Sequence, residues 1–123
     1  MKLKITILTF SIALLFGCSA TKKTATPTPP ETPLTPEIAA KIPENITFEK
    51  HIKAITIQFC GGGYCHHGSP SVWSKYENMK QIVDNGELKE EVIVHKTMPE
   101  GKKLPALEYH IIKKWLETGA KEK

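Results

Sequence analysis

Apolar positions fall into two kinds of pattern along this chain. The first is a continuous run from Ile5 to Phe16, broken only by Thr6, Thr9 and Ser11. The second is periodic. Phe48, Ile52, Ile55 and Phe59 recur at helical spacing, which predicts an amphipathic helix leading into Cys60, with Thr47 as its N-cap. The β-branched run Ile55-Thr56-Ile57 is also compatible with a strand there. Ser74 to Glu77 matches a capping box. The helix it opens carries Tyr76, Met79, Ile82 and Val83 on one side and stops at Asn85-Gly86. A last helix opens with Pro105, buries Ile111, Ile112, Trp115 and Leu116, and ends at Gly119. The segment between them, Glu87 to Leu104, reads as a connection whose one strand-like feature is the short patch Val92-Ile93-Val94. The expected fold class is mainly α, a small helical domain without internal repeats.

The apolar run at the N-terminus follows Lys2 and Lys4 and is shorter than the about 20 residues a membrane-spanning helix needs. It reads as a signal peptide, residues 1–17, and its ending Leu15-Phe16-Gly17-Cys18 resembles a bacterial lipoprotein signal. That resemblance implies cleavage before Cys18 and lipidation of its thiol, leaving 106 of the 123 residues. Two or three acyl chains give stable attachment, so the membrane partner is reached through lipid and not through a transmembrane helix. Ser19 follows the cysteine where some inner-membrane lipoproteins carry an acidic residue, which favours the outer membrane, with the domain facing the periplasm.

Ser19 to Glu44 holds six of the nine prolines and no aromatic residue, the composition of an extended, unpacked tether. Within it, the Ala-rich piece Glu37 to Lys41 is compatible with a single helical turn. Fully extended at ~3.1 Å per residue, such a tether spans at most roughly 80 Å. Residues 45–123 then form one small domain, short enough to need a staple such as a disulfide, a metal or a bound group. It carries twelve lysines against ten acidic residues, and the whole chain has no arginine. Arginine is the usual reader of phosphates and base edges, so no nucleic-acid partner is expected.

The staple is sought in Cys60-Gly61-Gly62-Gly63-Tyr64-Cys65-His66-His67, two thiols and two imidazoles within eight residues. With Cys18 lipidated, Cys60 and Cys65 remain as a pair. Three chemistries suit them. Covalent haem requires two thiols for the porphyrin vinyl groups and a histidine directly after the second, usually as C-x-x-C-H. Here four residues separate the thiols, and three glycines let the extra length bulge away from a flat ring without obstructing side chains. Zinc tolerates this thiol spacing, although adjacent histidines do not easily reach one tetrahedral ion. A plain Cys60–Cys65 disulfide fits an oxidising compartment.

A haem iron also needs a second axial ligand or an open position. Met79 lies on the apolar side of a predicted helix, where core packing explains it. Met98 lies in the Thr97-Met98-Pro99-Glu100-Gly101 loop, where the sequence offers no packing reason for it and a thioether ligand does. His95, three residues earlier, is the rival distal ligand. His67 would point away from the site, His51 and His110 read as surface residues on helices, and Trp115 and Tyr76 read as packing residues.

Taken together, Cys60 to His66, the Met98 loop and Leu104-Pro105 … Ile111-Ile112-Lys113-Lys114-Trp115-Leu116-Glu117-Thr118-Gly119-Ala120 resemble a class I c-type cytochrome domain. The stretch Tyr76 to Leu88 is similar to the same group, so the resemblance covers nearly all of residues 46 to 120. It implies one haem c held by thioethers from Cys60 and Cys65, with His66 as proximal and Met98 as distal iron ligand. It implies single-electron transfer between redox partner proteins of the cell envelope, alone or as an accessory subunit of a larger oxidoreductase, and no catalysis by the domain itself. The C-x4-C spacing departs from the common motif. The alternatives are a haem-based ligand sensor, should Met98 be displaceable, and a structural or interaction lipoprotein stabilised by zinc or a disulfide.

Overall fold

The computed structural model describes residues 31–61 and 73–123. These residues form α1 (Pro36–Lys41), a π-helical turn (Phe48–Ile52) running directly into α2 (Lys53–Cys60), α3 (Tyr76–Asp84), a π-helical segment (Lys89–Val94) and α4 (Ala106–Glu117), with no strand among the described residues.

The predicted helix from Thr47 is present. Thr47 caps it, its hydroxyl accepting from the Lys50 amide at 3.4 Å. The first turn is wound wide, with the Ile52 amide reaching the Thr47 carbonyl at 3.3 Å. Phe48 and Ile52 are completely buried, and Ile55 and Thr56 continue the buried face, so helix packing prevails over the β-branched run. The fully buried Thr56 hydroxyl lies 3.2 Å from the Trp73 carbonyl, as well as near Ile52 and Lys53 carbonyls of its own helix. This contact joins α2 to the segment entering α3.

Three expectations shift. The cap position of α3 falls on Lys75, one residue after Ser74, and offers no side-chain cap. Trp73 is itself helical, buried and held at its carbonyl by Thr56, and the chain turns at Ser74 before α3 begins at Tyr76. The Val92-Ile93-Val94 patch is helical, because Val92 and Ile93 face the core beside α4, with which their segment makes contact. Pro105 is the N-cap of α4, whose first helical residue is Ala106.

The C-terminus of α4 closes the domain. Gly119 adopts φ +91°, its amide bonds to the Leu116 carbonyl at 3.2 Å, and the Ala120 amide bonds to the Trp115 carbonyl at 2.9 Å. These two bonds form a Schellman motif. The reversal lays residues 120–122 across the core. There the Lys121 carbonyl accepts from both the Trp115 indole N–H and the Phe48 amide at 2.9 Å each. The Ala120 carbonyl accepts from the Tyr76 hydroxyl at 2.9 Å, and the Glu122 carbonyl accepts from the Glu49 amide at 3.1 Å. Trp115, Phe48 and Met79 are fully buried around this junction, and Phe48 meets Tyr76 and Trp115 ring to ring. The packing roles expected of Met79, Trp115 and Tyr76 are therefore observed.

The two helical histidines are not surface residues. His110 is 9 % exposed, and His51 is half-buried, with its Nδ1 accepting from the Thr47 amide at 3.2 Å. The helical turn expected near Glu37 is present as α1, and α1 lies against α4.

A Cβ at position 119 would meet nothing within 4 Å, so any cost of adding one is conformational. Gly119→Ala is expected to lower unfolding free energy by about 1–2 kcal/mol, the cost of left-handed backbone for an L-residue. Trp115→Phe should cost about 1–3 kcal/mol through a lost hydrogen bond and a residual cavity. Urea denaturation followed by circular dichroism measures both.

Candidate functional site

Cys60 is the last residue of α2, and its half-buried side chain packs against the hydrophobic cluster. The following residue ends the helix in a tight corner. A Cβ on Gly61 would stand 2.5 Å from the Ile57 carbonyl oxygen, a distance that real Cβ atoms essentially never show. Gly61 is thus required by the close approach of its own helix's backbone, whatever group the cluster binds. Cys65, His66 and His67 lie outside the described residues, as does Cys18.

Met98 reaches the same cluster from another direction. The π-helical segment ends at His95, whose amide bonds to the Glu90 carbonyl at 2.8 Å. Lys96 then takes φ +55° and turns the chain. Past that turn a single residue holds the loop. The Glu91 carbonyl accepts from the Thr97 amide at 2.9 Å and from the Met98 amide at 3.2 Å, while the Thr97 hydroxyl contacts both that carbonyl and the Glu91 carboxylate. Pro99 is buried, and its carbonyl accepts from the Lys102 amide at 3.2 Å, which closes the far side of the loop. The Lys96 ammonium lies 5.2 Å from the centre of the Tyr109 ring, a cation–π contact tying the loop to α4.

This scaffold separates the two candidate distal ligands. Met98 is half-buried and packs on the cluster, whereas the His95 side chain is 51 % exposed, with its Nε2 3.5 Å from a Glu90 carboxylate oxygen. Met98 therefore does have a packing role, contrary to the sequence expectation, since the hydrogen bonds of Glu91 turn its side chain inward. Glu91 and Thr97 are the residues that sequence reasoning missed. Their contacts run largely through the Glu91 carbonyl, which leaves no signature in side-chain identity.

His110 is occupied elsewhere. Its Nε2 lies 3.1 Å from the Thr32 carbonyl, and because a carbonyl can only accept, that nitrogen carries the proton. Among the described residues, no group of three or more His, Cys, Asp or Glu side chains could hold a metal ion. What the described part of the site provides is one thiol and one thioether, soft donors, on a common apolar cluster with Phe59, Ile82, Val83, Ile93, Leu104 and Leu107 half-buried around it. Thiol and thioether are soft donors of the kind that suits iron centres.

Comparison with protein-family models, with curated proteins and with solved structures finds no match for this chain.

Because its Cβ would collide with backbone, Gly61→Ala should destabilise the domain by about 1–3 kcal/mol, as overpacking does. The same substitution at Gly101, where a Cβ would meet nothing within 4 Å, carries only the conformational penalty of φ +69°. Paired denaturation curves of the two variants check the difference.

Proposed function

We propose that this chain is a lipid-anchored monohaem c-type cytochrome that carries single electrons between partner proteins of the bacterial cell envelope. The observation that carries the reading is that Cys60 and Met98, 38 residues apart in sequence, both pack half-buried against the single hydrophobic core of the described residues. One stands at the end of a helix closed by a glycine corner, the other on a loop clamped by Glu91. Haem, when bound, would supply the ferric/ferrous couple.

The chain's own residues would do the rest. Cys60, with Cys65, would hold the group covalently through thioethers. His66 would supply the proximal imidazole, and Met98 the distal thioether. The hydrogen bonds from Thr97 and Met98 to the Glu91 carbonyl fix the backbone from which that sulfur would reach the iron. The half-buried apolar side chains around the cluster would exclude water and so favour a potential higher than an exposed site gives. His95, facing solvent and Glu90, is the weaker ligand candidate. The lysine-rich, arginine-free surface suits brief docking, in which steering matters more than affinity.

The test is a haem stain on a denaturing gel and a reduced absorption spectrum, after expression with the cytochrome c maturation machinery. Haem retained by the denatured chain, with sharp low-spin bands, is expected. A colourless product would refute the reading and favour the zinc or disulfide lipoprotein. Met98→Ala should lose the low-spin spectrum and let the reduced protein bind carbon monoxide, whereas His95→Ala should leave both unchanged. Carbon monoxide binding by the unmutated protein would favour the ligand sensor instead. The Cys60→Ala/Cys65→Ala double variant should be poorly folded, and a helical, thermally stable product would count against a structural role for the group.

A further inference from the structure

The N-terminal stretch 31–43 belongs, on composition, to the Pro-rich tether, yet it is fastened to α4 at two points and to the core at a third. His110 and Lys114 stand one turn apart on α4 and therefore on one face. The His110 Nε2–H donates to the Thr32 carbonyl at 3.1 Å, and the Lys114 ammonium donates to the Pro43 carbonyl at 2.9 Å. Between these clasps the half-buried Ile42 packs against the core cluster. α1 lies along the intervening chain. Thr35 caps it by accepting from the Ile38 amide at 3.3 Å, Pro36 occupies its first position, and Lys41 pairs with Glu37 at 2.7 Å.

Two features make these clasps decisive. A six-residue helix is far below the about 12–15 residues at which isolated helices become even marginal in water, so α1 depends on being docked. Yet α1 buries none of its own residues, Leu34 is 54 % exposed, and a groove of about 410 Å³ remains between residues 31–34 and the Tyr109–Lys113 side of α4. Apolar packing alone is too sparse to seat the segment. The hydrogen bonds to backbone carbonyls, with Ile42, hold it.

We propose that residues 32–43 are a strap, an integral part of the domain that fixes the point where the N-terminal chain departs to the α4 face bearing His110 and Lys114. Because both clasps reach main-chain carbonyls, they need no particular strap side chain, and a proline-rich sequence can serve. The consequence at the membrane rests on the lipid-anchored reading. Taking residues 32–43 out of the tether that composition assigns to residues 19–44 shortens its maximum reach by roughly 40 Å at ~3.1 Å per residue.

Amide hydrogen exchange on the full mature protein tests the strap independently of whether Cys18 carries lipid or Cys60 carries haem. The reporters are the amides of Ala39 and Ile42, bonded to the Thr35 and Ala39 carbonyls. They should exchange more slowly than in an unstructured chain, and His110→Ala/Lys114→Met should speed them by about tenfold, the loss of two net hydrogen bonds. The Ala120 amide, in the closing turn, reports whether the domain itself is still folded. Should the double variant unfold it, Ile42→Ala removes the apolar anchor from the strap side and should speed the same two amides. Unprotected Ala39 and Ile42 amides in the unmutated protein would overturn the strap. So would unchanged protection in either variant that keeps Ala120 protected.

Discussion

The fold hangs on the carbonyls of residues 120–122. A left-handed glycine after α4 reverses the chain and lays three consecutive carbonyls over the core. They are met by donors from α4, from the first helical turn and from α3: the Trp115 indole, the amides of Phe48 and Glu49, and the Tyr76 hydroxyl. Without these carbonyls the Trp115 indole and the Phe48 amide would be unsatisfied polar groups on completely buried residues, and that costs more than a hydrogen bond returns. The constraint is thus mutual. The helices cannot pack without the turn, and the turn has no reason to form without the helices.

From this junction the rest of the site follows by geometry. With Phe48 pinned at the start of the π-helical turn that runs into α2, the register of α2 is set and Cys60 arrives at its far end, half-buried on the cluster. With α4 pinned at its C-terminus, the π-helical segment packed beside it presents the Glu91 carbonyl to the Met98 loop. Two soft sulfur donors therefore approach the same apolar cluster from separate stretches of chain. A domain of this size buries a modest core, and a large apolar group covalently held there would extend it.

Much of this was legible in the sequence, and the reason is side-chain periodicity. The spacing of Phe48, Ile52 and Ile55, of Met79, Ile82 and Val83, and of Ile111, Ile112 and Trp115 reports directly which face is buried. Gly119 and Asn85-Gly86 report where helices stop. What escaped the sequence is carried by the main chain. The clamp of Glu91 on Thr97 and Met98, the donors gathered on Lys121, and the clasps of His110 and Lys114 on Thr32 and Pro43 all end on carbonyl oxygens, which every residue has. His110 read as exposed for the same reason, since its partner is a carbonyl 78 residues away. The β-branched Val92-Ile93-Val94 patch pointed to strand because local propensity is weak beside the packing of its segment on α4.

Whether the chain carries covalent haem and lipid can be read from one number, the intact mass of the protein extracted from membranes of a host with the maturation machinery. The cytochrome reading requires a chain beginning at Cys18, carrying acyl groups and the mass of one haem that survives denaturation. A chain with acyl groups alone, or one lighter only by the two hydrogens of a Cys60–Cys65 disulfide, would contradict it.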